Sequence, residues 1–189
     1  MPVALDEAGI LRGVRSSSRR DRDRAFEELF RAMGGPVYQL CYRITGSAAE
    51  ADDAVQDCFV AAGEALTSFR GDAALSTWIY RIALRAAWRR KARTRARREE
   101  PGDEGQSAAM TVAVAPGDEP ERQAAAREEV RRVTRALATL SEEHQAILSL
   151  FAVDGLKHQE IAAVLGVPEG TVWSRLHAAR KALVAALPG

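Results

Sequence analysis

The sequence predicts an all-α protein of two small helical domains joined by a flexible acidic linker. Three observations carry this prediction. Apolar residues recur at steps of three and four through both halves of the chain. No stretch alternates polar and apolar residues as a half-buried strand would. Between residues 99 and 125 the period vanishes, and Pro101, Gly102, Gly105, Pro116, Gly117 and Pro120 punctuate a run of acids and small residues. The chain therefore divides into a flexible N-terminal arm over 1–21, a first domain over 22–98, a linker over 99–125 and a second domain over 126–189.

The arm is rich in Arg, Ser and Asp and shows no sustained apolar face. Phe26, Leu29, Phe30 and Met33 then mark the first helix face, which Gly34, Gly35 and Pro36 interrupt. Proline is tolerated in a first turn, so a second helix is expected to start there. It buries Val37, Leu40, Cys41 and Ile44 and stops near Gly46. Ser47 with Glu50 three residues on has the pattern of a capping box and opens a third helix. That helix presents Val55, Phe59, Ala62 and Leu66. After a turn at Gly71 and Asp72, Ser76 and Thr77 can cap a fourth helix carrying Trp78, Ile79, Ile82, Ala83 and Ala86.

In the second half, Val130, Val133, Leu137 and Leu140 restore the helical period. Ser141, Glu142 and Glu143 restart a helix with Ile147, Leu148 and Phe151, and Gly155 ends it. A short helix over His158 to Leu165, a turn at Gly166, Val167 and Pro168, and a last helix from Glu169 to Leu187 complete the chain.

Of the 189 residues, 47% are hydrophobic, enough for a sizeable core, and 28% are charged, as in a soluble protein. The net charge of +1 hides a strong asymmetry. Arg85 to Arg98 holds eight basic residues and no acid, whereas Glu99 to Glu121 holds seven acids and no base. The basic run suits either a solvated helix face or a phosphate-binding one. Cys41 and Cys58 sit in apolar helical patterns and match no metal spacing, so both are expected as reduced core residues. No apolar run reaches the roughly 18 residues of a membrane span, and residues 1–20 lack a signal-peptide pattern. A cytoplasmic protein without membrane insertion is expected.

The sharpest local signal is HQEIAAVLGVPEGTVWSRLHAA, His158 to Ala179, which reads as a helix-turn-helix. Ala162 is small where two helices must approach. Gly166 can take the positive φ of the turn. Ile161, Leu165, Val167, Val172 and Leu176 form the apolar lock. The exposed positions of the second helix are Glu169, Thr171, Trp173, Ser174, Arg175, His177, Arg180 and Lys181. Such a helix can enter a major groove, with base contacts near its N-terminus and basic residues on phosphates.

Repressors and response regulators also carry this motif, so the first half decides. ADDAVQDCFV, Ala51 to Val60, is similar to the segment of sigma factors that grips core RNA polymerase. LSTWIYRIALRAAWRRKAR, Leu75 to Arg93, resembles their promoter-melting helix. LSEEHQAILSLFAVDGLKHQEIAAVLGVPEGTVWSRLHAARKAL, Leu140 to Leu183, resembles their minus-thirty-five-binding domain. Together with the flanking helices the resemblance covers about residues 22–98 and 126–187. It points to a group-four, extracytoplasmic-function sigma factor, with a region 2 four-helix domain and a region 4 helix-turn-helix domain.

The resemblance implies a binding subunit without catalytic residues, cofactor or metal. It would bind core RNA polymerase and direct promoter recognition and melting at transcription initiation, in a stress or signal response under an anti-sigma factor. Asp52, Asp53, Gln56 and Asp57 would form the polymerase-binding face. Acids near a helix N-terminus also suit the helix dipole, so a solvated face explains them equally well from the residues alone.

Arg70, Ser76, Thr77, Trp78, Arg81, Arg85, Trp88, Arg89 and Arg90 would meet the minus-ten DNA, including the melted non-template strand. Capture of an unstacked base needs a pocket with a stacking surface, which the loop from Arg70 to Ser76 could line. Trp78 and Trp88 each fit either that role or a core anchor. Glu169, Thr171, Trp173, Ser174, Arg175, His177, Arg180 and Lys181 would meet the minus-thirty-five duplex. Two positions depart from the family pattern. Arg85 stands where asparagine is frequent. Trp173 replaces a basic or polar residue, and can meet a thymine methyl, the DNA backbone or a partner.

Two other function classes fit less well. A ligand-sensing regulator requires a receiver or pocket domain, and the first half shows no βα alternation. A metal-dependent nuclease would need Asp52, Asp53 and Asp57 on one ion. Three carboxylates within six helical residues do not converge so.

Overall fold

The structure is a computed structural model that describes residues 5–99, 128, 132–133 and 135–187. Among the described residues every regular element is a helix.

Asp6 caps α1 (Glu7–Val14), its carboxylate accepting from the Gly9 N–H at 2.9 Å. Ile10 and Val14, four residues apart, are buried against α2. Gly13 permits this contact, because a Cβ there would lie 2.7 Å from the Ala25 Cβ. The arm expected over 1–21 is thus a docked helix from Glu7, built on one apolar pair, too short a pattern to show a helical period.

Ser18 caps α2 (Arg19–Thr45), and Gly46 ends it at φ 73°. The break expected at Gly34, Gly35 and Pro36 does not occur, and one helix runs through. Leu29, Met33, Val37, Leu40 and Ile44 form a single buried stripe spanning that point. An interior proline costs about 3 kcal/mol. Each buried side chain of this size contributes roughly 1.5–3 kcal/mol, so continuing the stripe outweighs the break.

Ser47 caps α3 (Ala48–Ala65), accepting from the Glu50 N–H. The expected capping box is only half made, because the Glu50 carboxylate instead accepts from Thr94 Oγ1 at 2.8 Å. The α3 stripe keeps Phe59, Ala62 and Leu66 as expected but is wider, and small residues fill most of it. Ala51, Ala54, Cys58 and Ala62 are fully buried, joined by Phe59 and Leu66, while Val55 is half-buried. Small residues face the core because α3 lies close on α4. A short turn (Leu66–Ser68) and a loop lead into α4 (Leu75–Glu99). Ser76 and Thr77 fall in its first turn rather than at its cap. The linker expected over 99–125 lies outside the described residues, save Glu99 at the end of α4.

In the second half, residues 135–138 are helical. Ser141 caps α5 (Glu142–Leu148), which runs into a π-helical turn (Ser149–Val153). The helix-turn-helix is α6 (His158–Leu165) and α7 (Glu169–Ala186). Gly166 has φ 69°, and both its N–H and that of Val167 donate to the Ala162 carbonyl. Ala162 is 8% exposed, in keeping with the close helix approach expected of it.

The two halves pack directly on each other. α2 meets α5 and the π-turn, and α4 meets α6. One continuous apolar core runs from Ile10 through Ile79 to Ile147, Leu150 and Ile161. Arg43 Nη2 donates to Asp154 Oδ2 at 2.6 Å across this junction, with side chains only 11% and 6% exposed. Lys91 Nζ donates to Gln145 Oε1 at 2.9 Å. Gln145 is itself pinned by donating to the Ala138 and Leu140 carbonyls. Burial pushes the Asp154 carboxyl above the ordinary carboxylate range although Arg43 pulls it down.

Asp154→Asn should strand the Arg43 charge at the junction. Breaking a buried pair costs about 3–5 kcal/mol, which would here oppose docking of the halves. Small-angle scattering should show a larger radius with unchanged helical circular dichroism, and Arg43→Leu/Asp154→Leu should return the radius towards the original. No change in radius for Asp154→Asn would remove the pair from that role.

Candidate nucleic-acid interface

The basic block is carried by α4, whose inner side is set by Leu75, Ile79, Ala83, Leu84, Ala86 and Ala87, all 0–1% exposed. Arg81, Arg85, Arg89 and Arg93 follow one another at every fourth residue and are all exposed. They form one stripe along the helix. Arg90 lies off that stripe and faces α3. Its Nε and Nη2 donate to both oxygens of Asp57 at 2.9 and 3.0 Å, and its Nη1 donates to Asp53 at 2.8 Å. The Arg90 hydrogen bonds hold the Asp57 carboxyl below its ordinary range.

Two of the four expected polymerase-face residues, Asp53 and Asp57, are therefore joined to one of the expected DNA-face residues. Sequence alone offered no sign of this, since the partners are more than thirty residues apart. The other two, Asp52 and Gln56, are exposed on the rim of an apolar groove. Phe26, Phe30, Val55, Phe59, Val60 and Gly63 line it. Phe30 and Val60 are 49% and 57% exposed, and Phe30 meets Phe59 edge-on at 4.8 Å. The sequence grouped Phe30 with Leu29 and Met33 as one inward face. Leu29 and Met33 are buried, and Phe30 turns outward to the groove.

The N-terminal end of α4 faces a cleft. Phe69, Arg70, Gly71, Asp72, Thr77, Trp78 and Arg81 line one wall, and Ala162, Gly166, Val167 and Pro168 of the helix-turn-helix line the other. Trp78 is half-buried and packs on Phe69 at 5.2 Å, so the core-anchor and cleft roles coincide in it. Thr77 is 3% exposed, while Arg70 is exposed and Ser76 partly so. Trp88 is half-buried, and its Nε1 is enclosed. A further residue escaped the sequence reading: Arg15, just past α1, donates to the Phe69 carbonyl at 3.1 Å and ties the loop to the N-terminal helix.

On α7, Val172, Leu176 and Ala179 face inward, as the expected apolar lock requires. Glu169, Trp173, Ser174, His177, Arg180 and Lys181 are exposed, Thr171 partly so. Arg175 leans back to Glu143 of α5 at 3.3 Å. The Arg180 guanidinium lies over the Phe151 ring, 4.9 Å from its centroid.

A half that pairs an apolar groove with a basic helix, and a second half built as a helix-turn-helix, have counterparts among known proteins. Residues 29–98 match Sigma-70 region 2, and residues 131–183 match Sigma-70, region 4. The ECF RNA polymerase sigma factor SigW of Bacillus subtilis is 30% identical over 186 residues, covering 94% of this chain and 96% of that one. The chain belongs to the extracytoplasmic-function (ECF) sigma factors.

Its fold resembles CnrH, solved in complex with the cytosolic domain of CnrY, at a TM-score of 0.69 and 26% identity over 96% of both chains. It also resembles the sigma factor RpoE of Bartonella quintana, solved in complex with the anti-sigma factor NepR. That likeness has a TM-score of 0.67 at 21% identity, covering 86% of this chain and 96% of that one. An ECF sigma factor directs RNA polymerase to promoters and is not an enzyme. Its faces are thus docking surfaces rather than a catalytic centre.

In this ECF sigma factor the Asp57–Arg90 pair sets an acid limb of stability. A carboxyl held below its ordinary value of about 3.9 contributes stability that is complete above that pH and lost as pH falls through its lowered folded value. Asp57→Asn should therefore lower the urea midpoint clearly at pH 6 and much less at pH 3. A gap of constant size at both pH values would dissociate the pair from the acid limb.

Proposed function

We propose that the faces of this sigma factor divide promoter opening among them. Asp52 and Gln56, with the adjoining Phe30 and Val60, dock on core RNA polymerase. Asp53 and Asp57 serve that face by fixing Arg90, which locks α3 to α4. The loop from Phe69 to Trp78 captures an unstacked base of the melted non-template strand, with Trp78 as its stacking surface and Thr77 beneath. Arg70, Arg81, Arg85 and Arg89 hold the strand's backbone, and Ser76 adds a hydroxyl at the loop's end. Trp88 acts from within by bracing α4. Glu169, Thr171, Trp173, Ser174, Arg175, His177, Arg180 and Lys181 of α7 meet the minus-thirty-five duplex.

The observation that carries this reading is the exposed arginine stripe of α4, which leads to the aromatic cleft. Phosphate attraction then brings the strand to the cleft, where Trp78 offers a surface on which a base can stack. The closed arrangement supports control by an anti-sigma factor, since the helix-turn-helix turn shares the cleft with the base-capture loop. The Bartonella relative in fold was solved with such a partner. No described helix is long and apolar enough to cross a membrane, and we place the protein in the cytoplasm.

Reconstituted holoenzyme on a genomic promoter library tests the reading. Wild type should yield initiated transcripts, whereas Asp52→Arg should lose core-polymerase affinity. Arg85→Ala and Arg89→Ala should each lower the slope of log affinity against log salt by about 0.7, the value for one single-strand phosphate contact, rather than the roughly 0.9 of a duplex contact. Unchanged slopes in both would remove the stripe from the DNA path.

A further inference from the structure

We propose that Trp173 sets the upstream sequence preference by reading a thymine C5-methyl group, with His158 as its positioning residue. The inference rests on α7 being the duplex-reading helix and goes further by naming the group that is read.

Trp173 is 61% exposed, unusual for the largest apolar side chain on a recognition helix. Yet its ring is held. The imidazole of His158, first residue of α6, lies flat against it with centroids 4.1 Å apart and planes at 7°. His158 in turn meets Phe151 at 5.4 Å, and Arg180 covers Phe151. Phe151, His158 and Trp173 thus form a post of three rings rising from the π-turn through α6 to α7. One face of the indole is consumed by this stack. What remains for a ligand is an apolar face and edge already fixed in orientation, so little rotamer entropy is lost on contact.

The position of the post selects the ligand. Val172, Leu176 and Ala179 define the inward direction of α7. Ser174 and His177 point roughly opposite, towards a groove floor. Trp173 follows Val172 by one residue and so lies about 100° from the buried stripe, on the helix flank. Arg180 shares that flank, where a cation suits a phosphate. A side chain between groove floor and phosphate wall faces the outer edges of the bases on one strand. There the apolar group is the thymine methyl, which the major groove alone displays. Indole carries one donor and no charge, so it suits this contact better than a phosphate. The departure of Trp173 from the basic or polar residue frequent at this position thereby acquires a purpose.

Holoenzyme binding to a selected promoter fragment tests this, with each upstream-element thymine replaced in turn by deoxyuridine. That change removes only the methyl group. For wild type, one or two replacements should weaken binding about four-fold each, the value of one buried methyl. In Trp173→Ala the same replacements should have no effect. His158→Ala should diminish the effect and His158→Phe, which keeps a flat ring, should restore it, with core-polymerase affinity unchanged in all three. Deoxyuridine insensitivity in wild type overturns the proposal while leaving the duplex-reading role of α7 intact. A Trp173→Ala loss that is uniform over all fragments also overturns it, in favour of a backbone contact. A Trp173→Ala variant indistinguishable from wild type on every fragment overturns it too, and leaves the ring for a protein partner. Failure of wild-type holoenzyme to prefer any fragment overturns the underlying reading as well.

Discussion

The close seam between α3 and α4 governs the rest of the molecule. Ala51, Ala54, Cys58 and Ala62 on one side, and Ala83, Ala86 and Ala87 on the other, are all fully buried. Side chains this small let the helix axes approach, and the two cysteines belong to the same design. The Cys58 and Cys41 thiols lie 3.9 Å from the Ile79 and Ala83 carbonyls, and burial pushes both thiols up to about 12. At neutral pH they are inert, compact apolar groups. With the seam closed, Arg90 reaches Asp53 and Asp57, Thr94 reaches Glu50, and the Arg81 to Arg93 stripe is aimed at solvent. A bulkier residue in the seam would move the stripe and the cleft together.

The basic block thereby separates into residues with different work. Its arginines are chemically alike, and what faces each of them decides its role. Arg90 faces carboxylates and has two of them, one held by both oxygens, which is the geometry guanidinium suits best. Lys91 faces the other half of the chain and is partly desolvated there, so its ammonium is held below the ordinary lysine range. Arg85 and Arg89 face outward. The same logic holds on α7, where Arg175 leans to Glu143 while Arg180 rests on Phe151. Net charge, or even a count of local charge, describes none of this.

Local chemistry was legible in the sequence, and long-range pairing was not. The helix-turn-helix could be read because its determinants lie within a few residues of one another: Ala162 for close approach, Gly166 for positive φ, Val172 and Leu176 for the lock. Ser47 and Ser141 announced their helices for the same reason. The continuity of α2 through Pro36 was hidden, because the energy that overrides the proline comes from α3 and α4. Phe59, Ala62 and Leu66 face inward from α3 as expected, while Val55 is left at the groove because a tight seam buries the smaller Ala51, Ala54 and Cys58. At the site, the arginine stripe was partly visible as a run, but its division was not. Arg90 and Asp57 are 33 positions apart, and Arg43 and Asp154 are 111 apart. Such pairs exist only once the fold has been built.

The junction between the halves explains how one chain can be both compact and a reader of two separated DNA elements. Elements centred ten and thirty-five positions upstream lie about 25 base pairs apart, or about 85 Å of duplex at about 3.4 Å per step. In the closed arrangement the helix-turn-helix turn lines the same cleft as the loop from Phe69 to Trp78. With the roles proposed above for the loop and for α7, both elements cannot be occupied in that state. Opening must therefore separate α6 from α4 and break the Arg43–Asp154 pair. A buried ion pair returns little beyond its own desolvation cost, and burial accordingly raises the Asp154 carboxyl although Arg43 pulls it down. The pair is set among the apolar contacts of Leu150 and Ile161, which join the same core across the junction. Closure is specific in geometry, and separating the halves breaks the Arg43–Asp154 pair together with the apolar contacts around Leu150 and Ile161.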